Sequence, residues 1–256
     1  LGDVYKRQMA FWYLKKKGDN YMNIGCRIIK DFTRPPKELV RQFYDLATSD
    51  LDDTMSRFGA VDHSITPLKK YTRSVVGTAF TIRLPHGDNL LFRAAIQYTK
   101  RGDVVVIDAG GFADRAVAGE VTAKYCKARG VKGLIIDGAT RDSAALAEMD
   151  DFLVFTKGVS PNGPFFNGPG EVNVPIVVGG QIVYPGDIVV ADSDGIVFIR
   201  PDQAEQVLEQ SKKITARDQA NLRQLEETGS CNQDWVYEKL KALNCEFVDM
   251  ADHSEK

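Results

Sequence analysis

A helical pattern followed directly by an apolar strand pattern, at residues 119–142, constrains the fold of this chain most. Residues 120–129 mix alanine, tyrosine and cysteine with lysine and arginine, as an amphipathic helix does, and Gly130 is a typical C-terminal stop. Residues 131–137 then form an apolar run that predicts a buried strand, and Gly138 is expected to end it. A ten-residue helix spans about 15 Å, and the strand spans about 20 Å in return. The chain therefore goes out as a helix and returns as a strand, as in an α/β fold.

This local geometry predicts a convergence of polar groups. Because the strand returns to the start of the helix, Glu120, Arg141 and Asp142 are expected to lie close together at one edge of a sheet. The free N–H groups of Val121 and Thr122 in the first helical turn can donate to an anion there. An arginine fork suits a carboxylate, and a pair of carboxylates with few other ligands suits a hard cation such as Mg²⁺. The residues therefore favour a site for a small 2-oxo acid whose keto oxygen is polarised by a metal.

Each of these residues also has a simpler interpretation when it is taken alone. Glu120 suits the first turn of any helix, where a carboxylate complements the helix dipole. Arg141 and Asp142 could form a loop salt bridge or cap the next helix. The Gly110–Gly111 pair after an apolar strand is either a plain turn or a place where the backbone approaches a ligand closely. Only the convergence of these groups at one edge favours a site.

The remaining patterns indicate one α/β domain followed by helices. Further strand patterns occur in four segments: 74–84, 103–109, 153–156 and 176–199. A loop rich in glycine, proline and asparagine covers residues 158–175, and a loop of this length is usually functional. A helix of roughly 25 residues is expected from Asp202, and a shorter one over residues 234–243.

Three segments follow from this organisation. Residues 1–21 continue no periodic pattern and are interpreted as a non-native or disordered N-terminal segment. Residues 22–228 are expected to form the α/β domain. Residues 229–256 are expected to form a C-terminal helical extension whose apolar residues pack against the body or a partner subunit.

Composition excludes several classes of function. The chain of 256 residues has 33 Lys and Arg against 35 Asp and Glu, so its formal net charge of -2 gives no basic footprint for nucleic acid. The four cysteines are far apart and there are three histidines, which disfavours a zinc site and suits a reducing compartment. No apolar stretch approaches the ~20 residues that cross a membrane. We therefore expect a cytoplasmic protein with no nucleic-acid or membrane partner.

Motifs for other chemistries are incomplete in this chain. The run DAGGFADRAVAGE fails the GxGxxG pattern, and no GxxxxGK[ST] loop occurs, so nucleotide binding has little support. DSDG at 192–195 lacks the third acidic position and the closing Glu of a calcium loop, which favours a hairpin turn. The histidines have no neighbouring nucleophile, no GxSxG elbow is present, and no lysine is expected in the Glu120–Arg141–Asp142 cluster. Covalent catalysis is therefore unsupported.

The sequence resembles one known family over most of its length, from about Asp50 to Gln219. The resemblance is carried by the runs GTAFTIRL, GDNLLFRA, RGDVVVIDAGG, RGVKGLIIDGATRD and VPIVVGGQIVYPGDIVVADSDGIV. Its most specific element is an acidic residue, twenty intervening residues and then Arg-Asp, here Glu120 and Arg141–Asp142. On these residues the chain is similar to the family that contains 4-hydroxy-4-methyl-2-oxoglutarate aldolase and the RraA-type regulators of ribonuclease activity.

The resemblance implies a fold, an activity and an assembly. The fold would be a swivelling β/β/α-type single domain. The activity would be that of a class II, metal-dependent pyruvate aldolase that also decarboxylates oxaloacetate. The protein would form a homotrimer or a hexamer, with sites at the subunit interfaces.

The resemblance also implies roles for individual residues. Asp142 would bind the divalent cation, Mg²⁺ or Mn²⁺, directly. Arg141 would contact the keto and carboxylate oxygens of the substrate and stabilise the pyruvate enolate. Glu120, and Asp218 of a neighbouring subunit, would contact the metal through water. The substrate-binding backbone would be that of Gly119, Glu120, Val121 and Thr122.

Two departures and three rival interpretations accompany the resemblance. Glu120 stands where the aldolases have aspartate, and the tail beyond about Gly229 has no counterpart. A non-catalytic RraA-type regulator that binds a ribonuclease or another protein is the main alternative, and the intact Arg141–Asp142 pair favours the enzyme. A swivelling phosphotransfer domain would need a reactive histidine in a glycine-rich turn, and none of the three histidines fits this requirement. Decarboxylation without an aldol substrate would use the same site, so it stays open.

Overall fold

The computed structural model describes residues 25–248. The N-terminal segment 1–21, which the sequence sets apart, lies outside the described residues. Twelve strands are found in this part of the chain: β1 (Cys26–Ile28), β2 (Thr66–Pro67), β3 (Val75–Arg83), β4 (Asp103–Asp108), β5 (Ala116–Ala118), β6 (Gly133–Thr140), β7 (Leu153–Val159), β8 (Gly170–Val172), β9 (Ile176–Val178), β10 (Gln181–Val183), β11 (Ile188–Ala191) and β12 (Ile196–Ile199).

Seven α-helices accompany these strands within residues 25–248. They are α1 (Lys37–Arg41), α2 (Thr48–Thr54), α3 (Leu90–Ala95), α4 (Glu120–Ala128), α5 (Ser143–Ala147), α6 (Ala204–Thr228) and α7 (Asp234–Ala242). A single 3-10 turn, Ile96–Tyr98, extends α3. The structure is therefore a mixed α/β domain with C-terminal helices, as the sequence predicts.

The centre of the domain is a ten-stranded sheet in which β3, β4, β6 and β7 run parallel. Its principal strand order is β1-β8-β3-β4-β6-β7-β2, and β11, β12 and β5 pair outside this path. Helices α3, α4 and α5 connect the parallel strands. Because parallel strands end at the same edge, the segments that leave β4, β6 and β7 meet at one side of the sheet.

The central strands are mostly apolar because both of their faces are covered. All eight residues of β6 are buried. Leu134 and Ile136 belong to the core on the side of α3 and α4, whereas Ile135 belongs to the core on the opposite face. Side chains alternate between the faces of a strand, so a strand covered on both faces is largely hydrophobic. The buried carboxylate of Asp137 in β6 has a partner in Lys157, with Nζ at 3.4 Å from Oδ1.

Strand β6 does not end at Gly138, as the sequence predicted, but continues to Thr140. Its pairing with β7 shifts register between Ile136 and Ala139, which marks an irregularity at Gly138. A Cβ atom at Gly138 would lie 2.8 Å from Cβ of Ala109. The glycine therefore permits close packing inside the sheet, and the strand ends directly before the polar residues that follow Thr140.

The C-terminal helices leave the body of the domain. The buried residues of α6 all lie in its first two turns, from Ala204 to Ser211, and every residue from 219 to 230 is exposed. Helix α7 has no buried residue, and Trp235 and Tyr237 are exposed. Within residues 25–248, no helix combines the length and the apolar character that crossing a bilayer requires.

Candidate active site

The pairing of β5 with β6 brings the start of α4 to the polar residues after β6. Ala118 lies opposite Thr140 in this pair. The amide of Arg141 donates to the carbonyl oxygen of Ala118 at 3.0 Å, and the Thr140 hydroxyl donates to the same oxygen at 3.1 Å. The next residue, Gly119, is the N-cap of α4. The two chain segments are therefore joined by hydrogen bonds immediately before the candidate site.

Gly119 is required by the closeness of its neighbours rather than by its backbone angles. Its φ of -166° is extended backbone that any residue adopts. A Cβ atom there, however, would lie 2.6 Å from Oδ2 of Asp142 and 3.0 Å from Cγ of Arg141. A side chain at this position would therefore displace the two residues that the sequence places in the site.

Asp142 connects the end of β6 to the start of α4. Its Oδ2 accepts a hydrogen bond from the amide of Glu120 at 3.0 Å and lies 3.7 Å from Nε of Arg141. Its backbone is left-handed, with φ 57°, which is uncommon for a residue other than glycine. Its Oδ1 accepts no hydrogen bond from residues 25–248. The carboxylate is thus held at a helix N-terminus with one oxygen available to a ligand.

The first amides of α4 are divided between internal and free donors. The amide of Gly119 donates to the Thr122 hydroxyl at 3.1 Å, and the hydroxyl donates back to the Gly119 carbonyl oxygen at 2.9 Å. The amide of Glu120 is used by Asp142. The amides of Val121 and Thr122 have no acceptor in the described part of the chain. Two backbone donors therefore remain for an anionic ligand.

Glu120 has a lysine partner that the sequence interpretation did not expect. Nζ of Lys124 lies 2.5 Å from Oε1 of Glu120, one turn along α4. The prediction that no lysine occupies the cluster is wrong, and the i,i+4 spacing of the two residues was the signal for it. The Glu120 carboxylate must leave or share this ion pair before it can act on a ligand.

Two other groups considered in the sequence are not in contact with the cluster within this chain. Asp218 lies on α6 and pairs with Arg217, whose Nε is 2.9 Å from Oδ1 of Asp218. Cβ atoms at Gly110 and Gly111 would approach His86 and Lys157, respectively. The glycine pair therefore packs against the side chains of His86 in the HGDN turn and Lys157 on β7. A contribution of Asp218 to the site of a neighbouring subunit stays a prediction.

Two residues that the sequence did not identify, Asn89 and Arg93, line the site together with two residues of the loop at 158–175, which the sequence predicted to be functional. A small open pocket adjoins Gly119, Arg141 and Asp142, and its wall is completed by Asn89, Arg93, Pro164 and Phe166. Asn89 ends the HGDN turn and Arg93 follows it by one helical turn on α3. Their i,i+4 spacing would have placed both on one face of α3, but only the sheet order shows that this face meets α4.

Pro164 and Phe166 belong to the loop rich in glycine, proline and asparagine, which is anchored on the HGDN turn. Buried Asp88 accepts hydrogen bonds through Oδ2 from the amides of Asn167, at 2.6 Å, and Gly168, at 3.0 Å. The amide of Phe165 donates to the carbonyl oxygen of Gly87 at 2.8 Å. These contacts hold the loop against the start of α3 and beside the pocket.

The donor set fits a hard divalent cation that keeps most of its waters. Among residues 25–248, no group of three or more His, Cys, Asp or Glu side chains forms a complete metal cluster. Asp142 offers a free carboxylate oxygen, and Glu120 supplies a second carboxylate at the adjoining helix start. Mg²⁺ is commonly held by one or two carboxylates, with water and substrate oxygens completing its shell.

A larger cavity of about 370 Å³ lies between α2, β7 and β12, away from Glu120, Arg141 and Asp142. Its floor contains the apolar residues Val61, Ile65 and Phe155. Asp52, at its rim, already accepts hydrogen bonds from the amides of Gly59 and Ala60. Size alone does not make a site, and the smaller pocket is the better candidate because free polar groups converge there.

Comparisons with known proteins agree with the resemblance in the sequence. Residues 48–198 match the model of the RraA-like family, described as Aldolase/RraA. A protein from Halalkalibacterium halodurans with the provisional name 4-hydroxy-4-methyl-2-oxoglutarate aldolase is 36% identical over 186 residues, which cover 73% of this chain and 88% of that protein.

Solved structures share the fold. An uncharacterised protein from Pseudomonas syringae superposes with a TM-score of 0.68 at 22% identity, covering 78% of this chain and 97% of that protein. Streptomyces coelicolor RraAS2, described as an unusual member of the RNase ES inhibitor RraA family, has a TM-score of 0.66 at 25% identity, covering 74% and 100%. By sequence and by fold, the chain belongs to the RraA-like family.

Proposed function

We propose that the protein is a class II, divalent-metal-dependent carbon–carbon lyase. Its substrates would be 2-oxo acids of the 4-hydroxy-4-methyl-2-oxoglutarate type, which it cleaves to pyruvate, and it would also decarboxylate oxaloacetate. The observation that carries this proposal is the position of Arg141 and Asp142 at the N-terminus of α4, beside the free amides of Val121 and Thr122. The relative with the provisional aldolase name supports the same assignment.

The reaction requires stabilisation of negative charge on a small 2-oxo acid. The 4-hydroxyl group loses its proton, the bond between C3 and C4 breaks, and C4 becomes the carbonyl carbon of one pyruvate. The electron pair stays on C3 and is delocalised to the C2 oxygen as an enolate, and a proton added at C3 gives the second pyruvate. The protein must therefore bind a carboxylate, stabilise an enolate oxygen and move one proton.

The residues of the site can perform these three tasks. The amides of Val121 and Thr122 bind the C1 carboxylate. Arg141 donates to the C2 oxygen, where charge develops during cleavage. Asp142 would hold the cation, Mg²⁺ or Mn²⁺, and the bound cation would polarise the same keto group. Glu120, once it separates from Lys124, orients the water that carries the proton.

The assembly and the location in the cell are proposed on the same basis. The exposed apolar residues of the C-terminal helices, with Leu222 and Trp235 among them, are consistent with a homotrimer or hexamer in which these helices contact a neighbouring subunit. Asp218 would then reach the neighbour's site. A cytoplasmic location follows from the scattered free cysteines.

The alternative function is that of a non-catalytic regulator that binds a ribonuclease or another protein. The RNase ES inhibitor family named for the Streptomyces structure supports it. The complete Arg141–Asp142 pair favours the enzyme, because a purely protein-binding surface does not need a guanidinium and a free carboxylate oxygen beside unused helix amides.

Pyruvate release, coupled to lactate dehydrogenase, tests the proposal. 4-Hydroxy-4-methyl-2-oxoglutarate and oxaloacetate are each assayed with the wild-type protein in the presence of Mg²⁺ and of EDTA. The variants Arg141→Ala and Arg57→Ala are assayed with both substrates in the presence of Mg²⁺. Arg57 is a matched control, because its exposed side chain has Asp53 as its one ion-pair partner within residues 25–248. We expect metal-dependent turnover that Arg141→Ala abolishes and Arg57→Ala retains. Absence of turnover from a folded, metal-loaded protein would favour the regulator.

A further inference from the structure

Arg93 is a second arginine in the pocket that contains Arg141. It lies on α3, and its side chain is exposed at the pocket wall formed with Pro164 and Phe166. The amide of Arg93 donates to the carbonyl oxygen of Asn89 at 3.0 Å, so the two residues lie one above the other on the same helix face. The pocket therefore has two guanidinium groups, that of Arg93 on α3 and that of Arg141 in the segment between β6 and α5.

The charge of Arg93 is not neutralised within the described residues. Its guanidinium lies over the ring of Phe166, 5.8 Å from the centroid, and forms no ion pair among residues 25–248. Arg141, by contrast, has an anionic partner, because its Nε lies 3.7 Å from Oδ2 of Asp142. Arg115, the other arginine near this loop, donates to the carbonyl oxygen of Gly163. Arg115 also lies over an aromatic ring, that of Phe165, but only Arg93 of these two lines the pocket, and it has no anionic partner among residues 25–248.

Asn89 supplies an independent sign that the pocket receives a ligand. Its side chain is 2% exposed, and its Nδ2 donates to the carbonyl oxygen of Val117 at 2.9 Å. Because the carbonyl oxygen of Val117 can only accept, the side-chain atom of Asn89 that faces it must be the donor Nδ2. This fixes the orientation of the Asn89 side-chain amide, with Oδ1 directed away from Val117. This Oδ1 is buried and accepts no hydrogen bond. A buried acceptor without a donor costs stability, so it indicates a donor that is supplied by a ligand or by water.

The two ends of the pocket differ in chemistry. The reacting end, with Arg141, Asp142 and the amides of α4, accounts for a C1 carboxylate and a C2 oxygen. The end toward α3 and Phe166 offers one cation and one buried acceptor, which match a carboxylate and a hydroxyl group. A 2-oxo acid with a 4-hydroxyl group and a distal carboxylate carries both. A monocarboxylic 2-oxo acid would leave Arg93 and Asn89 without partners.

We propose that Arg93 determines substrate specificity by binding the distal carboxylate of the substrate. The site therefore selects dicarboxylic 2-oxo acids whose second carboxylate lies beyond the bond that breaks. This inference rests on the proposed function. Oxaloacetate differs in one respect, because its second carboxylate is lost as CO₂ when the bond between C3 and C4 breaks. An ion pair with Arg93 stabilises the distal carboxylate only while this group is charged. The ion pair is lost as oxaloacetate releases neutral CO₂ but is kept during aldol cleavage, so Arg93 favours aldol cleavage over decarboxylation.

The first test compares substrate kinetics of Arg93→Ala and Arg93→Lys with those of Arg57→Ala, an arginine exposed elsewhere. Loss of a charge-assisted hydrogen bond to a carboxylate should raise KM for 4-hydroxy-4-methyl-2-oxoglutarate by about ten- to a hundredfold in Arg93→Ala. Arg93→Lys should recover part of this loss. The ratio of kcat/KM for this substrate to that for oxaloacetate should fall. An unchanged KM and ratio in Arg93→Ala would overturn the proposal.

The second test measures binding of oxalate by calorimetry in the presence of Mg²⁺. Oxalate spans only the reacting end, so its affinity should change far less in Arg93→Ala than KM for the dicarboxylic substrate does. An equal loss of both would mean that Arg93 supports the whole pocket, which contradicts a role in specificity. If the wild-type protein neither binds oxalate nor turns over substrate, the proposed function itself fails. If it does both and Arg93→Ala behaves as wild type, only the present inference fails.

Discussion

Oδ2 of Asp142 accepts the amide hydrogen of Glu120 at 3.0 Å, and this bond joins the end of β6 to the first turn of α4. The same carboxylate thereby caps a helix and presents its other oxygen to the pocket. A structural role and the proposed metal-binding role are therefore combined in one side chain. Substitutions at this position must therefore be chosen so that the two roles can be separated.

Asp142→Asn should separate them. Asparagine keeps an oxygen that can accept the Glu120 amide hydrogen but removes the negative charge that a cation needs. We expect metal-dependent turnover to fall by at least about a hundredfold, while the thermal midpoint changes little. Asp142→Ala should lower turnover and also cost about 1 kcal/mol of stability, because the cap is lost. Turnover assays and thermal melts of both variants check this, and full activity of Asp142→Asn would contradict a role in metal binding.

Gly119→Ala should impair the site through steric displacement. The added methyl group would meet Oδ2 of Asp142 at 2.6 Å, so either Asp142 or the start of α4 must move. A shift of this size should reduce kcat/KM by about a hundredfold. Gly195→Ala is the matched control, because its Cβ would meet nothing within 4 Å. Equal kinetics for the two variants would show that the close approach at Gly119 has no bearing on function.

Asp88→Ala should loosen the loop that carries Pro164 and Phe166. Its side chain accepts hydrogen bonds from the amides of Leu90, Asn167 and Gly168, and it is 2% exposed. Leaving several buried donors unsatisfied should cost about 2–4 kcal/mol in the free energy of unfolding. Substrate KM should rise as well, since the loop forms part of the pocket.

Chemical denaturation and kinetics of Asp88→Ala provide the measurement. Asp62→Ala is a suitable control, because the contacts of exposed Asp62 are local, with its neighbours His63 and Ser64 in a turn. This control should cost less than about 1 kcal/mol. If the two variants were equally stable and equally active, the loop would not depend on Asp88.

Asp187 should make stability depend on pH. Burial raises the pKa of Asp187 from 3.8 to about 6, against the opposing effects of the Tyr184 amide and Arg200. The folded protein therefore binds this proton more tightly than the unfolded chain does. Stability from Asp187 is fully present below pH 3.8 and is lost as the pH rises through about 6.

Denaturation curves of the wild-type protein and Asp187→Asn between pH 4 and pH 7 check this sign. The difference in free energy of unfolding between the two proteins should change by up to about 3 kcal/mol over this range, in the direction that favours Asp187→Asn at neutral pH. Arg200, with Nε at 3.4 Å from Oδ1 of Asp187, reduces the size of the effect. Parallel pH profiles for the two proteins would contradict the raised pKa.

Local patterns predicted the long helices, the central strands and the first part of the site, but not the short strands β1, β5 and β8. The helix that begins at Glu120 and the 25-residue helix α6 were evident from residue periodicity, and both are confirmed. The closeness of Glu120 to Arg141 and Asp142 followed from one helix and one strand adjacent in sequence. Such contacts are predictable because the lengths of a helix and a strand fix where the chain returns. Their catalytic roles stay a prediction.

Only the tertiary structure decided the rest of the pocket. Strand β6 continues beyond Gly138 because a glycine there leaves room for the side chain of Ala109, which follows β4. This contact joins residues far apart in sequence, so no local pattern predicts it. Asn89 and Arg93 reach the pocket because α3 packs beside α4 on one face of the sheet, and Phe166 reaches it because Asp88 anchors a distant loop. The physical reason is that sequence periodicity specifies which face of an element is buried, whereas sheet order and long-range hydrogen bonds specify which faces meet.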